Sequence, residues 1–261
     1  ANTGSLDVGM AWLLLLICIL MQASVNTFND YFDFIKGTDT AEDNVEASDS
    51  VLVYNDVNPR SALGLAIGFL AVAFLLGLYV IWKAGPVPLV IALIGAVIVV
   101  MYSGGKTPLS YLPVGEAVSG IVMGGLIPLA CYQVLSGTFT FIALLWATPT
   151  IIGVGLIMMT NNTCDIEKDI EASRRTLPVL LGRERARALY HALMVVWVLA
   201  IVAIWFPRGI VVLPFLALGC YPLMMGLWKN PLAAPTRIGA MGQICSVNVA
   251  LGAFYAASLL L

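Results

Sequence analysis

Charged residues are scarce in this chain. Only 11% of its 261 residues are Asp, Glu, Lys or Arg, whereas 60% are hydrophobic. This composition excludes an ordinary soluble domain and is typical of a helical protein that crosses a membrane several times. The net charge of −2 gives no reason to expect a nucleic-acid partner. We therefore expect the lipid bilayer to be the main environment of the chain.

The chain has only one histidine, and its cysteines show no paired spacing. The single histidine, His191, lies at the start of an apolar run, where an interfacial position is expected. The five cysteines show no CxxC spacing and lie mostly inside apolar runs, so we expect small core residues rather than disulfides or metal ligands. The N-terminus lacks a basic stretch before its first apolar run, so the sequence predicts no cleavable signal peptide.

Long apolar runs are what the chain does have, and each is long enough to cross a bilayer core as a helix. They lie at about residues 8–30, 61–82, 86–103, 114–135, 139–161, 188–206, 209–228 and 238–260. The sequence thus predicts an all-α, polytopic membrane bundle with eight transmembrane helices, forming a single domain over residues 1–261. Two long polar loops, 31–60 and 162–187, separate these helices.

Positive charge predicts the orientation. With eight crossings, the loops at 31–60, 104–113, 162–187 and 229–237 share one side and hold all but two of the 13 lysines and arginines. The exceptions are Lys83 and Arg208. Such an excess marks the first side as cytoplasmic. The N-terminus then lies outside without a basic flank, so we expect a further helix to precede residue 1 in the natural protein.

A polar, acidic pattern occurs twice, each time where an apolar run meets a cytoplasmic loop. The two motifs read Asn29-Asp30-x-x-Asp33-x-x-Lys36 and Asn161-Asn162-x-x-Asp165-x-x-Lys168, the second followed by Asp169. At about 100° per residue, the polar side chains of each motif fall on one face of a helix. An even number of helices separates the motifs, so both face the cytoplasm and are expected to converge.

Carboxylate and amide oxygens are the ligands that magnesium prefers, and substrate phosphate usually completes its coordination. The two motifs together therefore predict a site where magnesium binds a diphosphate and neutralises it as a carbon–oxygen bond breaks. The alternative is that each motif is a solvated helix end at the membrane interface. The repetition of the same spacing favours the shared site, because buried charges are costly in a membrane.

Further candidates surround the motifs on the cytoplasmic side. Lys36, Lys106 and Arg175 supply positive charge, together with Arg174. Lys106 follows a Gly-Gly pair in a flexible loop that is not a phosphate-binding P-loop, because no strand precedes it. Tyr102 and Tyr111 flank that loop and are candidates for lining the cavity, where aromatic faces stabilise cations.

At these residues the chain resembles the UbiA superfamily of intramembrane aromatic prenyltransferases. Its NDxxD-type and DxxxD motifs are matched at residues 29–33 and 165–169. Residues 29–39, 102–105, 161–169 and 175–182 are most similar to the branch that prenylates dihydroxynaphthoate in menaquinone synthesis.

The resemblance implies a nine-helix bundle in which two Mg²⁺ ions bind a polyprenyl diphosphate. It assigns metal binding to Asn29, Asp30, Asp33, Asp165 and Asp169. Among these, Asp33, Asp165 and Asp169 are the catalytic candidates. It assigns diphosphate contacts to Asn29, Lys36, Lys106 and Arg175. The candidate cavity residues are Tyr102, Tyr111 and Asn162.

The implied reaction transfers the prenyl group to an aromatic acid and releases diphosphate and, with dihydroxynaphthoate, carbon dioxide. The expected location is the cell membrane, with the active site facing the cytoplasm and no obligate protein partner. Two departures from the family stand out: we expect its first helix to lie before residue 1, and the loop at 42–50 is acidic where relatives usually carry basic residues. The alternatives are another aromatic acceptor, such as hydroxybenzoate or homogentisate, and a cation-coupled transporter.

Overall fold

Helices form the regular structure of this chain. The computed structural model describes residues 6–36, 51–55, 57–103, 107–205 and 213–259, and it contains no strand within them. In these ranges the α-helices are α1 (Val8–Lys36), α2 (Val51–Tyr54), α3 (Pro59–Ala84), α4 (Val87–Ser103), α5 (Gly115–Ile121), α6 (Ile127–Ser136), α7 (Ile142–Trp146), α8 (Thr148–Cys164), α9 (Ile166–Glu171), α10 (Leu177–Leu181), α11 (Arg183–Trp205), α12 (Leu213–Lys229) and α13 (Arg237–Ser258). A π-helical turn, Val122–Leu126, joins α5 to α6. Short 3₁₀ turns lie at Leu109–Tyr111 and Ala234–Thr236.

The all-α prediction is confirmed. Over the described residues, which exclude 206, 209–212 and 260, each predicted apolar run corresponds to a helix or to consecutive helices. Within the described residues, five segments are long and apolar enough to cross a membrane. They are Val8–Phe32, Pro59–Ala84, Gly115–Ser136, Arg183–Ile204 and Ala234–Ser258. The remaining candidates, α4, α8 and α12, have 17 residues each. The chain is therefore a multi-pass membrane protein, and the count of eight crossings stays a prediction.

The chain divides into two compact units. Unit 1 comprises Ala1–Val90 and Ala130–Phe139, and unit 2 comprises Ile91–Leu129 and Thr140–Leu261. The first polar motif belongs to unit 1 and the second to unit 2. The prediction that residues 1–261 form one domain stays a prediction.

Unit 1 is built on the packing of α1 against α3. Small residues on α3, including Ala62, Ala66 and Ala73, are buried and let the two backbones approach closely. The Ser24 hydroxyl donates a 2.9 Å hydrogen bond to the carbonyl of Ala66, and this bond is also buried. Asn58 caps α3 by accepting a 2.9 Å bond from a backbone N–H of the first helical turn. This packing fixes the end of α1 that carries the first motif.

Unit 2 is organised around α8, which packs against α5, the π-helical turn, α11 and α13. The core contains fully buried Leu156 and Met159 on α8, Met194 on α11 and Ile244 on α13. A polar contact crosses this core where the hydroxyls of Thr160 and Tyr190 lie 2.8 Å apart. The second motif therefore begins in the last turn of the helix around which unit 2 is organised.

The second polar loop is folded rather than extended. It forms α9 and α10, and α10 ends at Gly182, whose φ of 75° suits glycine. Arg183 holds this region together: its Nη1 donates to the carbonyls of Thr163 and Leu232, and its Nη2 donates to both Glu167 carboxylate oxygens at 2.7 and 2.6 Å. These bonds lower the pKa of Glu167. Arg183 is thus a structural link between α8, α9 and α11.

Close approach of α8 to the π-helical turn gives the first testable prediction. A Cβ on Gly124 would lie 2.5 Å from the carbonyl oxygen of Thr150 and 2.6 Å from the Cα of Ile151. Gly124→Ala must therefore separate two backbones, and we expect it to destabilise the protein by about 1–3 kcal/mol. The measurement is the thermal unfolding midpoint of the purified protein in detergent.

The matched control is Gly242→Ala on α13, where a Cβ meets no atom within 4 Å. Its unfolding midpoint should stay unchanged or rise slightly, because alanine favours a helix by about 1 kcal/mol over glycine. Equal midpoints for the two variants would contradict the close packing at Gly124.

Candidate active site

The second polar motif spans the junction between α8 and α9. The Asp165 amide donates a 3.0 Å bond to the Asn161 carbonyl, and the Asp169 amide donates a 2.8 Å bond to the Asp165 carbonyl. Helical spacing therefore continues through the junction, and the three residues follow one another at intervals of about one turn. The spacing in the sequence predicts this arrangement.

Arg237, the first residue of α13, binds two members of this motif. Its Nε lies 3.1 and 3.2 Å from the two carboxylate oxygens of Asp165, and its Nη2 donates a 2.6 Å bond to Asn161 Oδ1. Arg237 is only 7% exposed. Little water screens this buried ion pair, so its attraction remains strong. The contact therefore holds the Asn161 and Asp165 side chains next to each other.

Asp169 is held by different partners. It is 2% exposed. Thr176 Oγ1 donates a 3.0 Å bond to its Oδ2, and Arg174 Nη1 lies 3.5 Å from its Oδ1. Burial raises the pKa of Asp169, while the Thr176 hydrogen bond and the Arg174 charge act in the opposite direction. The Asp169 carboxylate is thus shielded from water, and its orientation is set by the Thr176 hydroxyl and the Arg174 guanidinium.

Asn162 connects the motif to α5. Its Nδ2 donates a 2.8 Å bond to Oε1 of Glu116, and both side chains are buried. The other carboxylate oxygen of Glu116, Oε2, is buried and has no hydrogen-bond partner among the residues that the structure describes. Neighbouring members of one motif therefore contact two separate helices, α13 through Asn161 and α5 through Asn162.

The predicted cavity tyrosines lie in the same unit as the second motif. The Tyr102 hydroxyl is 3.6 Å from the position that a Cβ on Gly115 would take, next to Glu116. The carbonyl of Tyr111 accepts a 2.8 Å bond from the amide of Arg175, and its ring lies 4.8 Å below the Arg174 guanidinium. The structure thus brings Tyr111 and Arg175 together, as expected for loops on one side of the membrane.

The first motif lies at the end of α1 in unit 1. Asp30 Oδ2 accepts a 3.3 Å bond from the amide of Leu52 on α2, and Asn29 is exposed. The side chains of Asp33 and Lys36, and all of Lys106, lie outside the described residues. Their assigned roles stay predictions, as does the convergence of the two motifs.

The second motif can be tested for its fit to magnesium. Its acids supply carboxylate oxygens and Asn161 supplies an amide oxygen, a donor set that suits a hard cation. Within the described part of the chain, no three His, Cys, Asp or Glu side chains are grouped so that they could hold a metal ion. A magnesium ion here would therefore need further oxygens from substrate phosphate and water, which is its usual mode of binding. The residues fit an ion that arrives with a diphosphate.

Glu116 is not among the site residues predicted from the sequence, and Arg237 is predicted there only as a cytoplasmic positive charge. A signal for Glu116 existed, because it is an acid within a predicted transmembrane run, where ionised side chains are costly. No comparable signal marked Arg237, since 72 residues separate it from Asp165.

Curated relatives provide the comparison with known proteins. A 1,4-dihydroxy-2-naphthoate octaprenyltransferase of Bacillus subtilis (strain 168) is 33% identical over 192 residues, covering 72% of this chain and 61% of the relative. Proteins of the same name from Mycobacterium tuberculosis and Mycobacterium leprae are 28% and 27% identical over 248 and 252 residues. Each of these matches covers 93% of this chain, and they cover 84% and 83% of the relatives. The match to the Bacillus protein thus spans less than two thirds of that protein's length.

The family comparison agrees with the motifs. The model of the UbiA prenyltransferase family matches residues 1–238, a range that includes both polar motifs and the loop between Tyr102 and Tyr111. The chain belongs to the UbiA prenyltransferase family.

Proposed function

We propose that this chain transfers a polyprenyl group from polyprenyl diphosphate to an aromatic acceptor in a magnesium-dependent reaction. The preferred acceptor is dihydroxynaphthoate, and the products are a demethylmenaquinol, diphosphate and carbon dioxide. The reaction takes place in the cell membrane, at a site that opens to the cytoplasm. Family membership and the names of the three relatives support the reaction class and the acceptor.

The observation that carries the proposal is the pair of enclosed carboxylates at the end of α8. Asp165 and Asp169 lie one turn apart, and each already faces a guanidinium group. A carboxylate that already binds a guanidinium group is suited to exchange that partner for a magnesium ion carrying a diphosphate. Bound magnesium supplies neutralisation of the departing diphosphate.

The residues of the chain hold the two substrates. Arg175, which is exposed beside Tyr111, contributes positive charge for the diphosphate. Lys36 and Lys106 are assigned the same role from the sequence. The prenyl tail lies among apolar helices, which also exclude water from the developing allylic cation. The tyrosines near the second motif offer aromatic faces to that cation.

A transfer assay tests the proposal. Purified protein in detergent or nanodiscs is incubated with Mg²⁺, a labelled polyprenyl diphosphate and a panel of dihydroxynaphthoate, hydroxybenzoate and homogentisate. We expect a lipid-soluble prenylated product and pyrophosphate with dihydroxynaphthoate and much less with the others. Cation flux into liposomes without prenyl substrate, combined with no transfer to any acceptor, would favour a transporter instead.

Metal removal gives a second prediction. Incubation with an excess of EDTA should reduce product formation to background, because the diphosphate leaving group is then not neutralised. Addition of Mg²⁺ beyond the chelator should restore the original rate. Full activity in EDTA, measured on the same labelled product, would show that transfer proceeds without the predicted metal.

A further inference from the structure

Among the described residues, one carboxylate oxygen of Glu116 is buried without a hydrogen-bond partner. The residue is 5% exposed and lies in the first turn of α5. Oε1 accepts the 2.8 Å bond from Asn162, whereas the buried Oε2 accepts no bond from any described residue. An acceptor left in this state is destabilising, and more so when it carries charge. Such an oxygen needs an explanation beyond packing.

The surroundings of Glu116 belong to the candidate active site. Asn162, which donates to its Oε1, lies in the second motif. The helix that carries Glu116, α5, packs against α8, the helix that carries Asn162. The Tyr102 hydroxyl lies beside Gly115, the preceding residue. Glu116 thus contacts the predicted diphosphate site and lies near an aromatic side chain.

A metal-binding role for Glu116 is less well supported than a hydrogen-bonding role. In the described ranges, Glu116, Asp165 and Asp169 do not form a three-acid group that could hold a metal ion. Oε1 is also engaged by an amide donor, which leaves a single oxygen available. One anionic oxygen beside an aromatic ring is suited to accept a hydrogen bond from a hydroxyl.

We propose that Glu116 Oε2 accepts a hydrogen bond from a ring hydroxyl of the aromatic acceptor and thereby selects hydroxylated aromatic acids. This inference rests on the proposed function and names a specificity residue for it. A substrate without the hydroxyl leaves the carboxylate unpaired, which is how a polar site rejects an analogue that lacks a hydrogen-bonding group. The hydrogen bond to an anion also keeps the ring electron-rich for attack on the allylic cation.

The test compares Glu116→Gln with the wild type. The substitution keeps the size of the side chain and an oxygen for Asn162, but removes the charge. We expect the KM for dihydroxynaphthoate to rise about tenfold or more, the effect of losing a charge-assisted hydrogen bond. The KM for polyprenyl diphosphate and the Mg²⁺ concentration for half-maximal rate should stay unchanged. Glu171→Gln, at an exposed acid of α9, is the matched control and should leave all three constants unchanged.

A binding measurement identifies the hydroxyl without relying on turnover. The 1-hydroxy and 4-hydroxy analogues of 2-naphthoate are titrated against wild type and Glu116→Gln by tryptophan fluorescence. The variant should weaken binding of the analogue that retains the contacting hydroxyl and bind the other as the wild type does. The proposal is overturned if Glu116→Gln weakens the binding of both analogues equally, or if it binds both analogues as tightly as the wild type does. A changed Mg²⁺ requirement in the variant would also overturn it. A wild type that binds and prenylates none of the aromatic acids would instead contradict the proposed function itself.

Discussion

Asp169→Asn is expected to reduce prenyl transfer by at least about a thousandfold while the protein still folds and inserts. The substitution removes one negative charge from an acid proposed to bind metal, and several kcal/mol of transition-state stabilisation depend on that charge. Thr176 and Arg174 contact different oxygens of Asp169. An asparagine can keep its amide oxygen towards Arg174 and donate its amide N–H to the Thr176 hydroxyl, which can also accept. The fold should therefore tolerate the change. The measurement is the initial rate of labelled product formation at saturating Mg²⁺ and both substrates.

The control for this variant is Glu171→Gln, two residues further along α9 and exposed. It removes the same charge from the same helix and should keep wild-type activity. Asp33→Asn, in the first motif, should also reduce transfer strongly, since the sequence assigns metal binding to Asp33. Near-normal transfer by either aspartate variant would refute its assignment as a ligand.

Arg237→Met is expected to lower the free energy of unfolding by about 3–5 kcal/mol. The substitution leaves Asp165 as a poorly solvated charge without the guanidinium that lies 3.1 Å away, and breaking one side of a buried pair has this order of effect. Arg237→Lys should be milder, although lysine has no planar fork to reach Asp165 and Asn161 together. Unfolding in detergent, followed by circular dichroism, measures both variants.

A double variant separates charge from packing in this prediction. Arg237→Met combined with Asp165→Asn removes both members of the pair, so most of the lost stability should return. The two changes are then strongly non-additive, as expected for residues in direct contact. If the double variant loses the sum of the stabilities lost by the two single variants, the ion pair does not stabilise the contact between the end of α8 and the start of α13.

The helices were predictable because their signal is local. An apolar run long enough to cross a bilayer must satisfy its backbone hydrogen bonds internally, so it forms a helix almost regardless of its neighbours. The ends of the helices were less predictable. The first apolar run ends at about residue 30, whereas α1 continues to Lys36. The helix is longer than the run because the polar motif also adopts helical structure.

The motif acids were predictable and their partners were not. Spacing alone placed Asn161, Asp165 and Asp169 at one-turn intervals, and the structure confirms this arrangement. The contacts of Asp165 with Arg237 and of Asn162 with Glu116 depend on which helices pack against α8. Packing of this kind is not encoded in any short stretch of sequence, since 72 and 46 residues separate these pairs.

The proposed function depends most on Asp165 and Asp169 as ligands of a metal diphosphate. The most direct test is a crystal structure of the protein with Mn²⁺ in place of Mg²⁺ and an unreactive thio-analogue of polyprenyl diphosphate, using the anomalous signal of manganese. We expect a manganese peak with Asp165 or Asp169 as a ligand, next to the diphosphate of the analogue. Manganese bound at neither acid, or a diphosphate that lies away from both, would contradict the proposed function.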